Sequence, residues 1–240
     1  MTQGIHQLAA NMVNQLNRVD VVSNNLANAN TVGFKEDNLV EGSFNNYLEK
    51  AQEESKETLK LSEIMNTIPK IDGDFMNQDM GSVRKTGNKL DFALSQENAF
   101  FKVENQNGEV ELTRDGRFKV IENRLVTQNG YNVLDNANNA IIVGNDDAFT
   151  ANISIVTTDF KNLDKIGNNN YKINDANSLT AIANNQGYVL QGAIEQSNVN
   201  SIKSMVSLIE AQRKFEQAQK AVTGINDIDK KVIDSIGNNR

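Results

Sequence analysis

Apolar residues near the N-terminus recur at steps of three and four, as Ile5, Leu8, Ala9, Met12, Leu16, Val19, Val22 and Leu26. That period lines them along one side of a helix. Within the set, Ile5, Met12, Val19 and Leu26 fall one heptad apart, the narrow seam that buries best against another helix. The spacing predicts a helix from about Gln3 to Asn28, ~40 Å long at ~1.5 Å per residue. Asn28, Asn30 and Gly33 tolerate a left-handed backbone and mark its end.

The far end of the chain repeats the pattern. Ile202, Met205, Val206, Ile209, Phe215, Ala218, Val222, Ile225, Ile228 and Val232 read as one side of a second helix, with Lys, Glu, Gln and Asp on the other. Ser197 or Asn198 is its expected N-cap. Gly224 sits inside the pattern and weakens the helix there by about 1 kcal/mol relative to Ala.

Between the helices the period changes to alternation. Val110 with Leu112, Phe118 with Val120, and Tyr131 with Val133 read as half-buried strands, punctuated by Asn107-Gly108, Asp115-Gly116 and Asn129-Gly130. Those dipeptides suit tight hairpins because both central positions accept positive φ. Phe92 to Leu94, Phe100 to Val103, Ile141 to Val143, Ile153 to Val156 and Tyr188 to Ile194 are further strands. Their spacing predicts a compact β domain from about residue 85 to 195. The stretch from Glu36 to Met80 follows neither period; with Glu49, Glu53, Glu54 and Glu57 beside Lys50, Lys56 and Lys60, it reads as a charged helical or extended connector.

Composition then removes function classes. The 240-residue chain is 38% hydrophobic, has one Pro and no Trp, and roughly one residue in seven is Asn. A net charge of -7 with dispersed basic residues argues against nucleic acid and against an anionic membrane surface. No run approaches membrane-spanning length. The start of the chain has neither a basic nor an apolar signal region, so a soluble, cytoplasmic protein is expected by these rules, unless it leaves by a route that needs no cleaved signal.

Catalytic and metal chemistry finds little support. Without cysteine there are no disulfides, thiolate zinc sites or thiol nucleophiles. His6 is the only histidine, too few for a multi-histidine metal site. Asp72-Gly73-Asp74, with Asn77 and Asp79, looks superficially like a calcium loop, but the EF-hand positions fail and a solvated acidic turn is the expectation. Glu53 with Glu54, and Asp146 with Asp147, are adjacent pairs that do not face one another across a cleft. No Walker-type or dinucleotide glycine loop occurs. No enzyme, metal or cofactor is expected.

Asn24-Asn25-Leu26-Ala27-Asn28, followed by Thr31, Gly33, Phe34 and Lys35, resembles the N-terminal signature of the flagellar rod and hook family of axial proteins. The C-terminal signature of that family is resembled by Glu195-Gln196-Ser197-Asn198-Val199, then Met205-Val206, Leu208-Ile209, Ala211-Gln212-Arg213, Phe215-Glu216 and Lys220. Between them, Phe100-Phe101-Lys102-Val103, Thr113-Arg114-Asp115-Gly116-Arg117-Phe118, and Leu125-Val126-Thr127 with Gly130-Tyr131 are similar to its central strand, hairpin and following pair. Length and connector place the chain nearer the proximal rod type than the distal rod or hook types. Ile141 to Ile166 is short for the family.

The resemblance implies an α+β chain whose terminal helices (residues 1–35 and 196–240) pair as a discontinuous, coiled-coil-like assembly domain. Residues 36–84 are then a connector, and 85–195 a central all-β domain. It implies a non-enzymatic rod subunit that polymerises and transmits torque from motor to hook. Its partners would be further copies, other flagellar rod proteins and the flagellar type III export apparatus, and its place the periplasmic rod of the basal body. The assembly residues it implies are Ile5, Leu8, Met12, Leu16, Val19, Asn24, Asn25, Leu26, Ala27, Asn28, Thr31, Gly33, Phe34, Ser197, Asn198, Val199, Ile202, Met205, Ile209, Gln212, Arg213, Phe215 and Val222. Asn24, Asn25 and Asn28 would bridge neighbouring backbones, or cap the helix end. Gly33 reads as a backbone requirement. The distal rod type, and a secreted adaptor with coiled-coil ends, are the alternatives.

Overall fold

The computed structural model describes residues 2–43, 69–144, 150, 152–182 and 187–237. The charged part of the connector from Glu49 to Lys60, and Asp146 with Asp147, lie outside them. The chain divides into two compact units, one of residues 1–26, 37–75 and 200–240, the other of residues 27–36 and 76–199.

The first unit contains helix α1 (Thr2–Ala27), strands β1 (Asp37–Ser43) and β2 (Pro69–Met76) paired as a two-stranded sheet, and the 37-residue helix α2 (Ser201–Gly237). Asp72-Gly73-Asp74 falls inside β2, in extended backbone where an acidic turn was expected. Helix α2 is capped two residues beyond Asn198 and three beyond Ser197, its expected caps. Asn200 is the N-cap: its side-chain oxygen accepts from the Lys203 amide at 3.1 Å and its carbonyl from the Ser204 amide at 2.9 Å.

Burial separates α2 into two sides. Ser204, Ala211 and Ala218 are buried, while Ile202 (77% exposed), Met205, Val206 and Ile209 face outward. At ~100° per residue Ile202 and Ser204 point ~200° apart, so the single apolar side drawn from the sequence is two. Helix α1 departs in the same way: Leu16 is exposed, and Gln15, a polar neighbour, is buried in its place. Gly224 interrupts nothing, since α2 runs through it and a Cβ there meets no atom within 4 Å. Gly224→Ala is expected to raise stability by about 0.5–1 kcal/mol in urea unfolding, through the backbone entropy that glycine loses on folding.

The second unit is built on an antiparallel sheet. Its strands are β5 (Ala99–Glu104), β6 (Val110–Thr113), β7 (Phe118–Ile121), β8 (Arg124–Thr127), β9 (Asn132–Val133), β10 (Ile155–Thr157), β11 (Leu163–Gly167), β12 (Asn170–Ile173) and β13 (Thr180–Ala181). The order is β11-β12-β6-β5-β9-β8-β7, with β10 joining β5 to β13. Strand β5 pairs with β6, β9 and β10, so it is covered along both edges. Alternation then buries both its faces, with Ala99, Phe101 and Val103 in one cluster and Phe100 in another. Phe101 meets Phe118 edge-on at 5.2 Å, and Phe100 meets Phe160 and Tyr171 at 5.2 and 5.5 Å.

Short ribbons flank this sheet. Strand β3 (Val83–Lys85) pairs with β15 (Ala193–Glu195), and β4 (Phe92–Leu94) with β14 (Val189–Gln191). The single strand expected from Tyr188 to Ile194 is therefore two, broken at Gly192 with φ of 76°. Ile141 to Val143 forms no named strand; Ile142 makes one bridge to Arg124.

Asp115-Gly116 is not the positive-φ hairpin the dipeptide predicts. Gly116 is there because a Cβ would lie 1.8 Å from the Phe92 carbonyl oxygen. True two-residue hairpins with both central residues at positive φ occur at Glu122-Asn123 (50° and 61°) and Asn168-Asn169 (50° and 60°).

Candidate functional site

Residues 27–36 form a strap in the second unit, and hydrogen bonds hold its main chain at several points along its length. Asn28 turns the chain by accepting from Thr31 twice, carbonyl from amide at 3.0 Å and side chain from hydroxyl at 3.1 Å. Asn28 and Asn30 keep negative φ; only Gly33, at 70°, is left-handed. The Gly33 amide donates to the Glu195 carbonyl at 2.8 Å, and a Cβ on Gly33 would fall 2.6 Å from the Arg114 carbonyl. Glycine is thus required twice over, by conformation and by contact.

Further along the strap, Asn169 Nδ2 donates to the Val32 carbonyl at 2.8 Å and Lys165 Nζ to the Lys35 carbonyl at 2.7 Å. The same ammonium stands 4.3 Å from the centre of the Phe34 ring. Asn198 grips the strap from the other end of the sequence. Its amide donates to the Phe34 carbonyl at 3.3 Å, its Oδ1 accepts from the Glu36 amide at 2.7 Å, and its Nδ2 donates to the carbonyls of Asn77 and Asp79. Asn198 is therefore a clasp between chain segments rather than a helix cap.

Beneath the strap lies a triad of charges with side-chain exposures of 0% for Lys35, 0% for Arg114 and 2% for Glu195. Glu195 Oε1 accepts from Lys35 Nζ at 2.9 Å and from the Gly81 amide at 3.0 Å. Its Oε2 accepts from Arg114 Nε at 2.8 Å and pairs with Nη2 at 2.6 Å. Arg114 Nη1 donates to the carbonyls of Gln96, Glu97 and Ala99, and Lys35 Nζ to that of Asp79 at 2.6 Å. One carboxylate thus joins the N-terminal signature, the hairpin and the C-terminal signature. Charges can be buried this way because nearly every donor and acceptor is met.

Burial, ahead of the sharing of one anion by two cations, sets the proton affinity of Lys35. Burial pushes its pKa below the usual 10.5, the Arg114 guanidinium pushes the same way, and Glu195 opposes both. Between that lowered value and 10.5 the unfolded chain binds more protons at Lys35 than the folded one, so the lysine's contribution to stability rises with pH. The stability difference between the parent chain and Lys35→Met, from urea unfolding, is expected to widen from pH 8 to pH 10. A constant difference would show that the lysine keeps its ordinary affinity.

Of the expected assembly residues, Thr31, Gly33, Phe34, Asn198 and Val199 belong to this second unit, along with Ala27, Asn28 and Ser197. Asn25 belongs to the first, where it clamps its own chain: Nδ2 donates to the Asp37 carbonyl at 2.7 Å and Oδ1 accepts from the Asp37 amide at 2.9 Å. Ile5, Leu8, Met12, Val19, Leu26, Phe215 and Val222 are half-buried, and Asn24, Gln212 and Arg213 are exposed. Lys35, Arg114 and Glu195 stood inside the quoted signatures but were not singled out, since nothing in a single sequence pairs residues 160 positions apart.

The same three regions carry the likeness to known proteins. Residues 9–35 match the flagella basal body rod protein family, 96–162 the flagellar hook protein FlgE/F/G D1 domain, and 190–235 the flagellar basal body rod FlgEFG protein C-terminal family. The flagellar basal-body rod protein FlgF of Caulobacter vibrioides is 30% identical, over 91% of each chain. FlgF of Rhizobium meliloti is 29% identical over 100% of both, and the flagellar hook-basal body complex protein FlhP of Bacillus subtilis 29% identical over 90% of this chain and 93% of its own. No described helix is long and apolar enough to cross a membrane. With its N-terminal strap, hairpin arginine and C-terminal glutamate joined at one buried site, and relatives aligned nearly end to end, the chain belongs to the bacterial flagellar basal-body rod proteins and is a structural subunit of that rod.

Proposed function

We propose that the chain polymerises through its terminal helices, which pair as a coiled-coil-like assembly domain, and so forms part of the axial shaft that carries torque from motor to hook. The observation that carries this reading is the outward apolar face of α2. Ile202, Met205, Val206 and Ile209 follow the i, i+3, i+4, i+7 pattern of a helical docking face, yet all four are exposed in the single chain. Contacts repeated head to tail along a screw axis do not close, so they extend into a shaft. Residues 85–195 then serve as the outer β domain, 36–84 as the connector, and the FlgF-like proximal segment as the position within the rod. Delivery is by the flagellar type III export apparatus to a periplasmic location.

The absence of cysteine makes the test clean. Single cysteines at Leu16 and Ile202 should cross-link between subunits in isolated basal bodies, whereas one at half-buried Lys119 of β7 should not. Failure of both helix positions to cross-link, in cells that swim normally, would remove the helices from the interface. Export is checked separately: deleting residues 1–35 should keep the chain inside the cell.

A further inference from the structure

Two hollows open side by side on the second unit. One, of about 380 Å³, lies among the strap, the β6–β7 turn, the β8–β9 turn and the β11–β12 turn. The other, of about 410 Å³, lies among the β5–β6, β8–β9 and β11–β12 turns. They share Asn129 and Asn168, and Asn129 Nδ2 donates to the Asn168 carbonyl at 3.5 Å. Nearly half of the residues lining them are Asn, against roughly one in seven along the chain, and most of the rest are Gln or Thr. The charges on the walls cancel, since Arg117 Nε and Nη2 donate to the two carboxylate oxygens of Asp115 at 3.0 and 2.7 Å. Tyr131, half-buried against the core, adds an aromatic ring. These amides are open to a ligand: Gln106, Asn107 and Asn168 are exposed, and among the described residues their side chains have no hydrogen-bond partner within the chain. Asn168 also stands at φ of 50°, where glycine would sit without strain, so its side chain is kept at a small conformational cost.

We propose that the paired hollows bind a neutral oligosaccharide. The chemistry of the walls selects this class by elimination and by fit. An anion would find its one cation on the walls, Arg117, already held by Asp115 in a two-point contact. A peptide docks through apolar anchors or by extending a free sheet edge, and walls of amide-bearing turns offer neither. A sugar hydroxyl, by contrast, is donor and acceptor at once, and so is each carboxamide facing it. The apolar face of a sugar ring packs on an aromatic side chain such as Tyr131, whose own tip is polar. Each hollow falls within the ~300–1,000 Å³ of small-molecule sites, ample for one or more sugar rings.

The experiment titrates the full-length chain with maltotetraose and, separately, with chitotetraose, and follows the side-chain amides in proton–nitrogen correlation spectra. At least one of the two sugars should move the amides of Asn107, Asn129 and Asn168 saturably, with a Kd of ~1 mM or tighter. Asn107→Ala combined with Asn168→Gly removes two of the open amides and relieves the left-handed position, so the backbone spectrum should otherwise stay as it is. The double variant should bind the same sugar about tenfold more weakly, as two lost hydrogen bonds require. Asn138→Gly replaces another exposed asparagine at positive φ, outside both hollows, and should leave the affinity unchanged. The absence of a saturable shift with either sugar at ~10 mM overturns the proposal, as does an unaltered affinity in the double variant. Movement of the same amides when the protein concentration is raised without sugar, and none with sugar, would assign the hollows to contacts between copies and overturn it as well.

Discussion

Replacing Glu195 by Gln is expected to lower the stability of the second unit by about 3–5 kcal/mol, the range seen when one partner of a buried ion pair is removed. Glutamine keeps the shape of the side chain but not the charge, so Lys35 and Arg114 are left as two buried cations with no anion between them. The Gly81 amide also exchanges a carboxylate acceptor for an amide oxygen or a clashing NH2 group. Urea unfolding of the purified chain measures the loss. Adding Lys35→Met to Glu195→Gln removes one of the orphaned cations, so the double variant should be more stable than the sum of the two single effects. A Glu195→Gln loss below ~1 kcal/mol, or strict additivity, would mean that water reaches the triad and screens it. In cells, the loss should stop swimming, because the carboxylate holds both ends of the rod signature in one place.

Gly81→Ala is the second substitution with a large expected effect. A Cβ at this position would lie 1.8 Å from the Gln196 carbonyl oxygen and 2.9 Å from its carbon. Both are main-chain atoms, so no side chain can turn aside, and the segments 77–82 and 195–197 must separate. Separation breaks the Gln196 amide bond to the Ser82 carbonyl and the Gly81 amide bond to Glu195. A loss of ~3 kcal/mol or more is expected, at the upper end for overpacking. Gly108→Ala supplies the control. It meets no atom within 4 Å but keeps φ of 79°, so it should lose only the ~1 kcal/mol of left-handed strain. Equal losses at the two glycines would show that the close approach at Gly81 relaxes freely.

The two glycines illustrate how much of the site a reader of residues could find. Gly108 follows Asn107 between two alternating segments, and the dipeptide alone announces its turn. Gly81 and Gly116 are demanded by a carbonyl from a distant segment, and no neighbour in sequence hints at it. Gly33 was recognisable as a backbone requirement, but the contact with Arg114 that reinforces it was not. The burial of Lys35 and Arg114 leaves no mark in the sequence, because long cationic side chains are nearly always solvated. Only a shared anion makes their burial tolerable, and Glu195 lies 160 residues from one and 81 from the other.

The terminal helices show the same division. Period alone located α1 and α2, and the order of signature, strands, hairpin and signature was sufficient to point to the rod family. Period did not assign their faces. Leu16 satisfied the three-and-four spacing and is exposed, whereas Gln15 lies outside that apolar set and is buried. On α2 the buried line runs through Ser204, Ala211 and Ala218, residues too small to register as a hydrophobic stripe.

What the chain's own order of residues determined was local: helix against strand, the tight turns at Asn-Gly, and the family. These follow from dihedral preference and from side-chain direction over a few residues, which any isolated segment expresses. Which charges are buried, which glycines are irreplaceable and which side of each helix is covered were decided by tertiary structure alone. Each depends on the desolvation of a group by atoms far away in the chain, and that quantity has no local signature.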